Sequence, residues 1–162
     1  MPKVIVLLCD AGSSVEELGA VVAEGAKGVR FAEVDVRTVG RLRTTGNEPY
    51  KSLGSADRIR EYDGIIMVCT IGDVPAALGG VFDHLEQALP TGEMLNKVLA
   101  ATGAGNQRVV ERLARLGGII VCEPYGTADS LHAGRALGAR VAKVAEWVRH
   151  ALSHEQANQH HH

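Results

Sequence analysis

A chain of 162 residues with 46% hydrophobic content has the size of one compact domain that buries about 68–70% of the surface its unfolded form exposes. Its 17 Lys and Arg nearly balance 19 Asp and Glu, so no global field recruits nucleic acid or an anionic membrane. No apolar run approaches the roughly 20 residues of a spanning helix, and the amino end lacks a signal-peptide pattern. Three cysteines, an odd number without short paired spacing, fit a reducing compartment. The expectation is therefore a soluble, cytoplasmic protein.

The first predicted strand is the unbroken apolar run Val4 to Cys9, which reads as buried on both faces and so as parallel. Asp10-Ala11-Gly12-Ser13-Ser14 turns it into a helix with Val15, Leu18 and Val22 on one stripe. Ser13 with Glu16, and Ser14 with Glu17, both satisfy the Ser-x-x-Glu capping pattern. Phe31 to Val36 alternates apolar with acidic residues, the pattern of a second strand near a sheet edge. Residues 37–55 carry Gly40, Gly46, Pro49 and Gly54 without periodicity and read as loop, with a short helix near Ala56 to Arg60.

Gly64 to Cys69 is the third predicted strand, and Thr70-Ile71-Gly72-Asp73 leads into a helix that Asp73 caps and Pro75 opens. Leu78, Phe82, Leu85 and Leu89 form its stripe. Lys97 to Ala101 is the fourth strand, ending in Thr102-Gly103-Ala104-Gly105 before a helix with Val109, Leu113 and Leu116 in line. Ile119 to Cys122 is the fifth, and the last helix carries Leu137, Val141, Val144 and Val148. Strands alternating with helices imply right-handed crossovers and a three-layer α/β/α sandwich. The domain is expected to span residues 1–152, with 153–162, closing on His160-His161-His162, a disordered tail or tag remnant.

Particular stretches resemble the flavodoxin-like superfamily, and within it the Trp-repressor-binding-protein type of NAD(P)H:quinone oxidoreductase. Gly19 to Ala26 looks like the first helix of that family, with its Ala-Glu-Gly-Ala ending. Tyr62-Asp63-Gly64-Ile65-Ile66 is similar to the start of its third strand, Ile71 to Leu78 to its second loop and following helix, and Thr102 to Gln107 to its glycine-rich third loop. The resemblance implies a five-stranded parallel sheet in the order 2-1-3-4-5, with FMN at the carboxyl ends of the strands. It implies FMN contacts from Ser13, Ser14 and Val15 in the first loop, Thr70, Ile71, Gly72 and Asp73 in the second, and Thr102, Gly103, Ala104, Gly105 and Asn106 in the third. It further implies hydride transfer from NAD(P)H to quinones and assembly as a dimer or tetramer. The cofactor carries that chemistry, so no catalytic side chain and no metal ligand is assigned.

Departures from the family keep a second reading open. Asp10 stands where the family has Ser or Thr, the second loop lacks the family's Arg and aromatic residue, and Tyr125 is the best-placed remaining ring. At about 4 Å two like charges repel by roughly 4 kcal/mol at an effective dielectric near 20, against roughly 0.3–1 kcal/mol from a helix dipole. An Asp10 aimed into the turn thus favours a flavodoxin-like scaffold that has lost FMN and serves as a binding or oligomerisation module. Simpler roles also stand beside each motif: Ser13 and Ser14 as helix caps, Thr102 to Asn106 as a tight turn, Gly72-Asp73 as a cap, and Arg41 and Arg43 as solvated loop residues. Cys9, Cys69 and Cys122 read as small buried hydrophobes. A phosphoryl-accepting receiver domain fits less well, because the third strand ends in Cys69-Thr70 without an acceptor Asp and the fifth in Cys122-Glu123-Pro124 without a Lys.

Overall fold

A computed structural model describes residues 1–9, 12–39, 50–69, 76–103, 106–123 and 130–159, apart from the side chains of 76, 77, 106, 130 and 159. The chain runs β1 (Lys3–Leu8), α1 (Ser13–Lys27), β2 (Glu33–Thr38), β3 (Lys51–Ser52), β4 (Gly64–Val68), α2 (Ala76–Gln87), β5 (Val98–Thr102), α3 (Asn106–Ala114), β6 (Ile119–Ile120) and α4 (Ser130–Gln159). Short 3-10 helices cover Ala56–Glu61 and Leu89–Thr91. All strand pairs are parallel.

The described sheet has six strands in the order β3-β2-β1-β4-β5-β6, which corrects the expected five in the order 2-1-3-4-5. The added strand is Lys51–Ser52, held by two register pairs, Arg37↔Lys51 and Thr38↔Ser52, and by Leu53 N–H donating to the Thr38 carbonyl at 2.8 Å. Two exposed polar residues leave no periodic signal to read.

Period-two alternation splits the core in two. Ile5, Leu7, Ile65, Met67, Leu99 and Ala101 face the Ala56–Glu61 turn, α2 and α3, meeting Ile59, Leu78, Phe82, Leu85, Val109 and Leu113. Val4, Val6, Leu8, Ile66, Val68, Val98 and Ala100 face α1 and α4, meeting Val15, Leu18, Val22, Leu137 and Val141. The two outer helices cross at backbone contact. A Cβ on Gly25 would lie 2.0 Å from the Arg135 carbonyl oxygen, and one on Gly138 would lie 2.0 Å from that of Val22.

Several boundaries shift, each for a local reason. Phe31 has φ +67° and is 60% exposed, so it belongs to the turn before β2, which starts at Glu33 and continues to Thr38. Leu89 lies past the end of α2 in the second 3-10 turn and is exposed, off the stripe expected of it. Helix α1 begins at Ser13 with Gly12 (φ +133°) at the N-cap. Ser13 and Ser14 are therefore first-turn residues and not caps, because a residue already in helical conformation cannot cap its own turn. Helix α4 runs on to Gln159, with residues 153–158 exposed.

Candidate functional site

Register places the strand ends in a row. Cys9 N–H donates to the Val68 carbonyl at 3.0 Å, Val39 N–H to that of Leu8 at 3.1 Å, and Cys69 N–H to that of Thr102 at 3.0 Å. The ladders thereby extend one step past β1, β2 and β4, and Val39, Cys9, Cys69 and Gly103 stand side by side across the carboxyl edge. The corners that follow β1, β4 and β5 all leave from this edge, where open α/β sheets bind ligands.

At the first corner, the first intrahelical bond of α1 runs from Glu16 N–H to the Gly12 carbonyl at 3.2 Å. The amides of Ser13, Ser14 and Val15 precede it and have no intrahelical acceptor. The space a Gly12 Cβ would take is open, with no described heavy atom within 4 Å. Ser13 and Ser14 are exposed, while the Val15 side chain is fully buried, so its amide is the group it offers. Three amides at the positive end of a 15-residue helix beside an open glycine fit a phosphate.

The third corner is fixed from inside. Thr102 is 1% exposed and donates its hydroxyl hydrogen to Glu123 Oε1. Gly103, at φ +106°, presses its backbone on the second corner: a Cβ there would sit 1.7 Å from the Cys69 carbonyl oxygen. Asn106 opens α3. Thr70, Ile71, Gly72, Asp73, Ala104 and Gly105 lie outside the described residues, as do Asp10, Arg41, Arg43 and Tyr125. Glu123 was missed in the sequence, since a lone carboxylate after a short strand carries no pattern. Cys122 corrects the reading of all three thiols as buried: β6 ends at Ile120, and Cys122 is exposed beyond it, whereas Cys9 and Cys69 are buried.

Perturbed titratable groups gather away from this edge. Tyr62 donates to Asp35 Oδ2 at 2.6 Å, and Arg37 Nε donates to the same oxygen at 2.9 Å. Burial, then the hydrogen bond to Asp35, pushes the Tyr62 phenol up to about 12. Burial alone would raise the Asp35 carboxyl, but the bonds from Tyr62 and Arg37 outweigh it and hold the group below its usual range. Lys97 Nζ donates to the Arg60 and Tyr62 carbonyls at 2.7 and 2.6 Å, and burial lowers its pKa against the opposing pull of Asp63 and Glu93. A polar cleft of about 340 Å³ lies beside Asp35 and Tyr62. The groups that shape it bond one another, which is the signature of a structural network.

No protein-family model and no curated protein sequence matches the chain. Solved structures do. A flavodoxin, WrbA-like protein from Agrobacterium tumefaciens is similar at TM-score 0.63 and 18% identity, over 91% of this chain and 99% of that one. A flavone reductase is similar at TM-score 0.62 and 15% identity, over 92% of this chain and 65% of that one. A short-chain flavodoxin associated with a non-canonical PDU bacterial microcompartment is similar at TM-score 0.60 and 12% identity, over 90% and 99%. The fold is flavodoxin-like. Among the described residues no helix is long and apolar enough to cross a membrane.

Proposed function

We propose that this flavodoxin-like chain binds FMN across the corners after β1, β4 and β5 and acts as an NAD(P)H-dependent quinone or flavin oxidoreductase. The observation that carries the reading is the first corner, where the Ser13, Ser14 and Val15 amides lack intrahelical acceptors beside the open space at Gly12. Resemblance of the loop sequences and similarity of fold to a flavodoxin and a flavone reductase support FMN over other anions.

When bound, FMN would supply the hydride chemistry. The first-turn amides would hold its phosphate, with the Ser13 and Ser14 hydroxyls as further donors. Gly103 allows the start of the third corner to lie against Cys69 without a side chain between them, and the proposal assigns Thr70 to Asp73 and Thr102 to Asn106, the residues that the sequence resemblance implies, to the same ligand. About two strand spacings, near 10 Å, separate the β1 and β5 corners, a span that suits an extended ligand with its anionic end at α1. Assembly as a dimer or tetramer belongs to the same proposal.

A specific observation favours the alternative, a scaffold without flavin. The five described aromatic side chains have other surroundings: Phe82 in the core under α2, Tyr62 on Asp35, Tyr50 packed against the core on the side of α1 and α4, Phe31 before β2 and Trp147 on α4. Titrations of the purified protein with FMN and riboflavin separate the two. The oxidoreductase reading predicts visible flavin absorbance and FMN binding at least tenfold tighter than riboflavin, since a charge-assisted bond contributes about 1.5–3 kcal/mol and tenfold is about 1.4. Absence of binding by either flavin leaves the scaffold.

A further inference from the structure

Two of the three cysteines are brought together by the fold. The β1–β4 register ends at Leu8↔Val68, and the Cys9 N–H to Val68 carbonyl bond at 3.0 Å carries it one step further. Cys9 and Cys69 are therefore cross-strand neighbours. Both belong to the same core cluster, on the side of α2 and α3, at 2% and 0% exposure, so their side chains leave the sheet on one face. Cys9 donates its thiol hydrogen to the Leu7 carbonyl at 3.4 Å, and no disulfide joins the two sulfurs.

We propose that Cys9 and Cys69 form a redox-responsive dithiol, a modification site that a peroxide closes into a disulfide directly beneath the corners. Adjacent parallel strands run about 4.8 Å apart, inside the roughly 4.4–6.8 Å between Cα atoms that a disulfide spans. The Cβ atoms need to approach to about 3.8 Å, so closure draws two strand ends together by roughly 1 Å. Such a bond is strained and readily reduced, the property of a reversible disulfide and not of a structural one. The burial selects a small, neutral oxidant, because a bulky disulfide reagent would need the corners opened.

In the first step the Cys9 sulfur attacks one peroxide oxygen: an S–O bond forms, the O–O bond breaks, and the departing hydroxide takes the thiol proton and leaves as water. The Cys69 sulfur then attacks the resulting sulfenic acid: an S–S bond forms, the S–O bond breaks, and a second water leaves with the Cys69 proton. Two thiols are oxidised and one hydrogen peroxide is reduced to two waters. Because the Cys69 carbonyl lies against Gly103 and its N–H is bonded to Thr102, closure reaches all three corners.

The test uses Cys122→Ser, which removes the exposed thiol alone, treated with hydrogen peroxide while folded. Remaining thiols are counted after denaturation, together with intact mass and a non-reducing peptide map. The expected result is that both thiols disappear together, the mass falls by two hydrogens, the map links the Cys9 and Cys69 peptides, and dithiothreitol restores both. Adding Cys69→Ser leaves Cys9 as a sulfenic acid that dimedone traps. Retention of both thiols in the folded protein, or oxygen added at either sulfur without a link, overturns the proposal. No flavin enters the readout, so the outcome is independent of the cofactor.

Discussion

Replacing Gly103 by Ala probes the contact on which the arrangement of corners depends. The new Cβ would lie 1.7 Å from the Cys69 carbonyl oxygen and 2.7 Å from its carbon, where ordinary contacts begin near 3.4 Å, and both atoms are backbone. A side chain held at φ +106° adds strain of about 1–3 kcal/mol, and overpacking adds typically about 1–3 kcal/mol. The central expectation is a loss near 4 kcal/mol, a lowering of Tm by roughly 8–16 °C for a domain of this size. Gly79→Ala is the matched control. It lies on α2 with open space around its Cβ, so the better helix former should stabilise by about 0.8–1 kcal/mol. Thermal and urea unfolding of the two variants beside the parent decide the matter. A Gly103→Ala protein within about 0.5 kcal/mol of the parent, the usual range for neutral surface changes, would refute the close approach of the second and third corners.

Three further outcomes follow from the packing and the titrating groups. Gly138→Ala forces α4 off the Val22 carbonyl and should destabilise by about 1–3 kcal/mol despite its gain in helix propensity, measured by urea midpoint. The Tyr62 phenol, raised to about 12, ionises in the unfolded chain near its ordinary 10. Between those values the unfolded state binds fewer protons, so this group's contribution to stability is present below pH 10 and is lost as pH rises toward 12. Alkaline difference spectra of the parent against Tyr62→Phe should show a late-titrating phenol, and a normal midpoint would contradict the Asp35 bond. For Asp35, whose folded pKa is lowered, the contribution is present above the ordinary carboxyl value and fades as pH falls through the folded one. Tyr62→Phe removes a bond that lowers it, and acid unfolding should then begin at higher pH.

Much of this fold can be read because β1 and β4 are buried on both faces, and runs such as Val4 to Leu8 and Ile65 to Val68 have few other uses. The two-residue β3 is invisible for the opposite reason: Lys51 and Ser52 are exposed, and only tertiary pairing with Arg37 and Thr38 makes them a strand. At the first corner the Ser-x-x-Glu pattern points one residue too late, because Gly12 serves as N-cap without a side chain to advertise it. The Cys9–Cys69 neighbourhood needs both sheet order and register, neither of which a sixty-residue separation reveals locally. Glu123 depends on where one hydroxyl hydrogen points, which no spacing encodes.

The most direct test of the ligand edge is an amide chemical-shift map of the isotope-labelled protein, recorded while FMN is added. The account predicts the largest shifts at Ser13, Ser14, Val15 and Gly103, with Asp35 and Tyr62 at the polar cleft unmoved. Shifts confined to that cleft, or none at any FMN concentration, would contradict it.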